Sequence, residues 1–490
     1  MTGYTLLHPS ARRGWLARPL LIAAAAVILL FCLVVSIRPT TLDSFSYGNG
    51  NGSDLYETLL SAITSSPNSS AAWTDADGSL HRLGNGAHFV DLSNDQVVDA
   101  RNGLAFPQEL EGQSFNLAVL KLPPGSTFQL LGVARGPTRR HPFIVVEGHP
   151  AREQSVVVFG LDVRHDGSLV VVTKAHALDY QMIPQEACKV TGHWVATFGP
   201  EDSRIFWTDA GTPAITFGRS SDWTAKCRVV GLIPDLRRHF PFVAEAIAPS
   251  ARHGVAPYSH RVEVGDAQSL ELVRERRNHV EKNWAAFYPG PQRDKNRLYP
   301  AMSYSVAPGQ VMDVANATSR YISYDVLDTP DFSAKCVARA HNWDPRANHH
   351  ASPLYRFTLC ERGCTPHEGN TVNVAVAHAK LRGRQYMKYF VTYNTTAPFN
   401  LISIGPALLV DGEEIDDPIK INFALSMVPL EPADLDPTAK RINHRQAPGH
   451  FFLDDTVLMT LGHADDRMIS TTFPAREMLA RHKMCDELVD

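Results

Sequence analysis

Long apolar runs are almost missing from this sequence, and so are the short signatures of several large enzyme classes. There is no G-x-S-x-G elbow, no P-loop, no G-x-G-x-x-G and no H-E-x-x-H, which sets aside α/β-hydrolase, nucleotide-loop, dinucleotide and zinc-helix chemistry. An excess of basic charge is absent too. The 47 Lys and Arg are set against 51 Asp and Glu, a net charge of −4, so no global positive field points to nucleic acid. Cysteine is scarce, seven in 490 residues, and a chain this long can bury a large core without cross-links. Helical periodicity is confined to residues 54–64, 267–277 and 475–487. What is present is a globular balance of 44% apolar and 20% charged residues, which excludes disordered, collagen-like and multi-spanning membrane chains.

The one long apolar run is 20–37, LLIAAAAVILLFCLVVSI, without a charge. At about 1.5 Å per residue it spans about 27 Å, the hydrocarbon core of a thin, early-secretory bilayer. Arg12, Arg13 and Arg18 precede it and only Arg38 follows closely, so the positive-inside bias leaves the N-terminus in the cytosol and the body in the lumen. The run exceeds a signal-peptide core and VSIRPTTLD offers no A-x-A site, which favours an uncleaved type II anchor over a cleaved leader. The expected plan is a cytosolic tail (1–19), an anchor (20–37), a Ser/Thr/Asn/Gly-rich stem (38–70) and a lumenal body (71–490). Sequons at Asn51, Asn68, Asn316 and Asn394 suit that plan. Beyond the anchor lie six cysteines, an even count that allows three disulfides in fifteen pairings. Cys360 and Cys364 suggest a local bridge, since no second Cys pair or spaced His pair completes a zinc set.

After residue 71 the pattern becomes short apolar runs between turn signals. Examples are QSVVVFGLDV (154–163), RIFWT (204–208), CRVVGLIP (227–234), TVNVAVAHA (371–379) and TVLMTLGHA (456–464). HDG at 165–167 and TDAG at 208–211 mark hairpin turns. So many short strands argue for an all-β fold: sandwich, barrel or propeller. They fall into five groups, 115–176, 200–240, 280–325, 370–411 and 418–474, which fits a five-bladed β-propeller although no strict repeat is present.

In a propeller the starts of inner strands converge, so polar residues there carry the chemistry. Gly199-Pro200-Glu201-Asp202-Ser203-Arg204 stands directly before RIFWT. It offers two carboxylates and a guanidinium, enough for an acid or base beside an anion contact; it also suits a solvated turn. Glu281-Lys282-Asn283-Trp284 places a cation, an amide and an indole at another strand start, suited to phosphate or sugar or to a turn with a buried Trp. His378 ends VAVAHA, with Tyr386 and Tyr389 on the next strand, as a ligand-facing imidazole or a satisfied core residue. The segment 462–466, GHADD, is strand-terminal and reads as a further candidate or a polar turn. Asp75-Ala76-Asp77 and Asp434-Leu435-Asp436 have the D-x-D form of metal-dependent glycosyltransferases, but neither follows a hydrophobic strand in a βαβ setting, so no metal is expected.

In this order the segments resemble the fungal β-mannosyltransferase family, the β-1,2-mannosyltransferases of cell-wall mannan. GPEDSRIFW followed by CRVVGLIPDLR looks like their second-blade signature, and EKNW with LYPAMSYSVAPGQVM like their E-K-N-W hairpin. QYMKYFVTYNTTAPFNLISIGPALL resembles the aromatic-rich fourth blade and DDTVLMTLGHADDRMISTTFPAREML the closing one. The similarity covers roughly residues 115–480. That family is similar in turn to five-bladed β-mannoside phosphorylases, with motifs E-D-P-R, D-K-N and a strand-terminal His.

The resemblance implies a Golgi membrane enzyme that adds β-linked mannose from GDP-mannose to a mannan or N-glycan acceptor, without a metal cofactor. Asp202 would be the catalytic base. Lys282, Asn283 and His378 would lie on the phosphate or donor side with Arg204 alongside, and Glu201 and Tyr386 would also touch substrate. Ser203 stands where Pro is usual, which bears on the rigidity of Asp202. A lumenal β-mannoside phosphorylase or hydrolase would use the same Asp202 as an acid, and a non-catalytic glycan-binding propeller would use none of this chemistry.

Overall fold

The computed structural model describes residues 52–489 except 66–72, 75–79, 85, 94–95, 100–109, 147–148, 179–196, 221–227, 251–267, 271–282, 307–310, 315–320, 325–329, 343–347, 381–385, 411–421, 437 and 440–448. The expected tail and anchor, much of the stem, Asn51, Asn68, Asn316, the pair Glu281 and Lys282, and Cys188 and Cys227 lie outside the described residues. Among the described residues no helix is long and apolar enough to cross a membrane.

The described chain is mostly strand. Its strands form five sheets, one of ten strands, one of eight and three of four. One strand from each sheet positions the site: β1 (Phe115–Lys121), β2 (Glu201–Trp207), β3 (Ala285–Phe287), β4 (Tyr355–Thr358) and β5 (Asn422–Leu430). The apolar stretches LAVL of β1, IFW of β2, AAF of β3 and FAL of β5 are continuous rather than alternating because both of their faces are covered. Every residue of β1 after Phe115 is buried, as is every residue of β3. All five strands contribute to the lining of one pocket, through Leu120, Trp207, Phe287, Arg356 and Met427.

Tight antiparallel hairpins link neighbouring strands. After β2 the TDAG turn closes with Thr208 N–H donating to Thr212 O at 2.8 Å and Gly211 N–H to Thr208 O at 2.9 Å. Gly211 has φ 89 there, a left-handed value that favours glycine. The HDG turn closes in the same way through Arg164 and Gly167. The sheet of β5 runs on through Thr456–His463 and Arg467–Pro474 and is completed by His88–Val90 from the start of the described body. A strand from one end of the chain thus finishes the sheet built from the other end, which leaves fewer open edges.

Three helix expectations have different outcomes. The first is met by Gly52–Ser65, whose Leu59 and Ala62 are buried in the main core cluster. Tyr56 Oη donates to Glu487 Oε1 at 3.1 Å, so part of the segment expected as stem packs on the body. The second is overturned where it is described: Gln268–Leu270 is a strand, paired with Arg228–Ile233 through Val230 and Leu270. Pairing of Ser269 and Leu270 to a neighbouring strand overrides their weak helical period. The third breaks into a short 3-10 turn (Ala475–Met478), a two-residue strand (Lys483–Met484) and a helix (Cys485–Val489), because Arg481 takes a left-handed φ of 58. Among the described residues three α-helices were not anticipated, Pro241–Ile247, Pro330–His341 and the short Pro432–Leu435. Each opens on proline, whose fixed φ and missing N–H suit a first turn. Cys336 and Cys485 join the Pro330–His341 and Cys485–Val489 helices in a disulfide, and Cys360 and Cys364 form the expected local bridge.

Candidate functional site

Three polar residues share an unusual backbone. Asn116 (φ 57), Asp202 (φ 50) and Asn283 (φ 64) are all left-handed. Asn and Asp tolerate this region best among non-glycine residues. Asn116 and Asp202 are each the second residue of β1 and β2, and Asn283 stands two residues before β3. Strand pairing slips between Phe115 and Ala118 and again between Glu201 and Arg204. Bulges of this kind re-aim side chains, and here they occur where β1 and β2 begin.

Asp202 is partly exposed beside a buried neighbour, Glu201. Its Oδ1 lies 3.5 Å from Asn116 Nδ2 and 4.0 Å from Arg135 Nη1. Arg135 Nη2 is 3.7 Å from Glu201 Oε2, and its guanidinium lies 4.9 Å from the centre of the Phe115 ring. These are open contacts of the sort that tighten when substrate arrives.

Arg204 is buried and joins several sheets. Its Nη1 donates to the Asp202 carbonyl at 2.8 Å, Nη2 to Asn283 Oδ1 at 3.0 Å and Nε to Ala351 O at 2.8 Å. The guanidinium also lies 5.6 Å from the Phe423 ring of β5. Burial lowers its pKa to about 10, against the opposing pull of Asp202 and Tyr355. It therefore stays cationic at neutral pH, its buried charge compensated by three acceptors.

His378 also meets the Phe423 ring, 4.6 Å away edge to face, with Tyr386 at 4.7 Å from the imidazole. Neither ring nitrogen of His378 has a partner among the described residues. Burial first, then the charges or dipoles of His349, Arg204, Lys388 and His350, push its pKa well below the usual value. A neutral imidazole can donate one hydrogen bond but supplies no positive charge. His350 is also buried, pushed down to about 3 by burial and then by Arg204, and its Nε2 is 2.8 Å from Ser303 Oγ.

The structure thus brings Asp202, Glu201, Arg204 and Asn283 together, with His378 and Tyr386 reached through Phe423; Lys282 is outside the described residues. The pocket at Asp202 is lined in part by Glu201, Arg204, Asn283 and Trp284. Trp284 and Tyr389 are core rather than sugar platforms. Trp284 packs with Tyr304 at 5.8 Å, and Tyr389 Oη donates to Asn348 Oδ1 at 2.6 Å. Asp465 and Asp466 form a polar hairpin turn, with Ala464 and Asp465 both at positive φ. Asp434 caps a short helix and holds Lys121 Nζ at 2.5 Å, while Asp75 and Asp77 lie outside the described residues. No group of three or more His, Cys, Asp or Glu is placed to hold a metal among the described residues. Asn394 is half-buried at a strand end.

Sequence reasoning missed Asn116, Arg135, His350 and Ser303. Asn116 and His350 each stand at the edge of a strand, FN before LAVLK and HH before ASPLY, and a rule weighting every polar strand-edge residue would have found both.

Asp209, the seventh residue after Asp202, stands in the turn beyond the far end of β2, at most about 23 Å away at strand rise. Both Asp209 carboxylate oxygens bind Arg356, at 2.7 and 2.9 Å, and Oδ2 also accepts from Asp294 N–H at 3.0 Å. Arg356 Nε donates to Gly290 O at 2.7 Å. No buried side-chain atom of Asp209, Tyr288, Tyr355, Arg356 or His450, which line the pocket there, lacks a partner.

No protein-family model matches the chain, and no curated protein matches it in sequence. Among solved structures it is similar to a glycosyl hydrolase from Bacteroides ovatus, with TM-score 0.39 and 11% identity over 80% of this chain and 95% of that one. It is also similar to MPT-1, a GDP-Man-dependent mannosyltransferase from Leishmania mexicana, with TM-score 0.35 and 10% identity over 80% and 91%. A third is MPT-4, a mannose phosphorylase from Leishmania mexicana in complex with phosphate ion, with TM-score 0.33 and 10% identity over 77% and 91%. These likenesses are weak, and none of them identifies the activity of this chain.

Proposed function

We propose that this chain is an inverting glycosyltransferase that adds β-linked mannose from GDP-mannose to a mannan or glycoprotein glycan. In this reading the five sheets are the blades of a propeller, and 20–37 anchors the body in the Golgi lumen as a type II protein. The observation that carries it is a concentration of unmet polar atoms. Ser203 Oγ, Arg135 Nε and both His378 ring nitrogens are buried without a partner among the described residues. Unpaired buried polar groups cost roughly 1–3 kcal/mol each, and a polar ligand at this point would satisfy them. The motif order along the sequence supplies the identity of that ligand.

An α-linked donor that yields a β product is inverted once, by in-line attack of the acceptor hydroxyl on the anomeric carbon. The bond from that carbon to the diphosphate oxygen breaks as the new one forms. Asp202 takes the hydroxyl proton, and its Oδ2 is the free oxygen because Asn116 and Arg135 both approach Oδ1. Arg204 fixes the Asp202 backbone and adds positive potential without moving. Lys282, next in the chain to Asn283, supplies charge to the departing diphosphate, and neutral His378 supplies a hydrogen bond. Positive side chains then do the work that a divalent ion performs in D-x-D enzymes.

The test uses full-length protein with GDP-mannose and a mannan or β-mannoside acceptor, reading released GDP with and without EDTA. GDP release that survives EDTA and disappears with Asp202→Asn is expected. Mannose 1-phosphate formed from phosphate and a β-mannoside, with no GDP release, would make it a phosphorylase instead. Glycan binding without turnover would make it a lectin.

A further inference from the structure

Gly462 sits inside the strand Thr456–His463, paired with Phe423 on one side and Met468 on the other. Its backbone has no left-handed φ, so conformation does not require glycine there. Space does. A Cβ on residue 462 would lie 1.7 Å from Asn116 Oδ1, 2.8 Å from its Cγ and 3.1 Å from its Cα. The glycine leaves room for one amide, and that amide is the group whose Nδ2 approaches Asp202 Oδ1 at 3.5 Å.

We infer that Asn116, seated against Gly462, is a positioning residue that holds the Asp202 carboxylate for proton transfer; this rests on the reading of Asp202 as the base. The left-handed backbone at Asn116 and the bulge beside it turn the amide out of the strand pattern towards β2. Gly462 then fixes it from behind. With Nδ2 facing Asp202, the amide donates to a carboxylate; the flipped amide would set oxygen against oxygen, so the charge of Asp202 selects one orientation. Arg135 approaches the same Oδ1. Both donors therefore hold one oxygen and leave Oδ2 directed at the acceptor hydroxyl. Two segments separated by more than 340 residues act here as one device, neither of them touching the reacting atoms.

The experiment compares Asn116→Gly, Gly462→Ala and the double variant of the full-length protein by crystallography, thermal unfolding and kinetics. Glycine at 116 accepts the observed φ, so the fold survives while the amide is lost. In both single variants the Asp202 carboxylate is expected to rotate or spread over several rotamers. The kcat is expected to fall about 10- to 100-fold with KM for the donor within about twofold, the signature of lost alignment rather than lost binding. In the double variant the added methyl has no amide to displace, so kcat should match Asn116→Gly alone. A role in packing alone would lower the unfolding temperature of the single variants and leave kcat unchanged. The inference is overturned if Asp202 keeps its position and order in both single variants, or if the two losses add. Should wild-type protein release no GDP, the base assignment fails, and the crystallographic comparison still decides whether Asn116 holds the carboxylate.

Discussion

The two ends of β2 carry the same kinds of residue and use them in opposite ways. At one end Asp202, Arg135 and Glu201 make loose contacts of 3.5 to 4.0 Å, surrounded by unpaired buried atoms. At the other, Asp209 and Arg356 form a closed bidentate pair, and no buried side-chain atom of either residue lacks a partner. A carboxylate beside an arginine is thus not a site by virtue of its composition. What separates them is completeness: the Asp209–Arg356 pair is closed, whereas the contacts of Asp202 are open, and in the proposed reading a ligand closes them.

The sharpest way to break this contrast is Asp202→Asn. Turnover should fall about 10²- to 10⁴-fold, as for loss of a general base, while the urea midpoint stays nearly unchanged. Loss of stability with intact turnover would reverse the roles of the two ends. Asp209→Ala should do the converse. It strands the Arg356 cation and should cost about 3–5 kcal/mol in urea unfolding, with kcat of the folded protein within about threefold because the sites are distant.

Acid should then loosen both ends together. His350 near Asp202 and His450 near Asp209 are held at about 3 by burial, and His341 and His482 at about 4 and 3. Each is neutral in the fold and free to protonate when unfolded. Stability is therefore full above pH 6.5 and declines as pH falls towards those folded values. Asp455, raised to about 6 by burial against the pull of Arg362, opposes this between pH 6 and 3.8, one carboxyl against these four imidazoles and against His378 and His176, which burial also lowers. Urea midpoints at pH 7, 6 and 5 should fall in that order; a flat series would show that the histidines bind protons equally well folded and unfolded.

The smallest effect belongs to Ser203→Ala. Removing a buried hydroxyl without a partner should stabilise by about 1 kcal/mol and raise KM if that hydroxyl meets the ligand. A destabilised variant with unchanged KM would mean the hydroxyl is already bonded in the protein.

How much of this was legible in the sequence follows from the range of the interactions. Strand groups and hairpins show in apolar runs and in HDG and TDAG because burial and turn geometry are local. Asp202, Arg204 and Asn283 stood out because charge and amide groups abut apolar strands. Asn116 did not, since its role depends on a bulge and on Gly462, a contact set by the packing of different sheets. Trp284 misled for the converse reason: WAAFY is a continuous apolar run, and the indole belongs to it rather than to the polar EKN before it.

A crystal structure of the Asp202→Asn protein with GDP-mannose tests the assignment of the reaction centre most directly. The mannosyl ring should lie against residue 202 with its diphosphate towards Asn283 and His378, satisfying the unpaired atoms there. A donor bound instead at the Asp209 end, or a pocket at residue 202 that stays free of sugar under saturating donor, would contradict it.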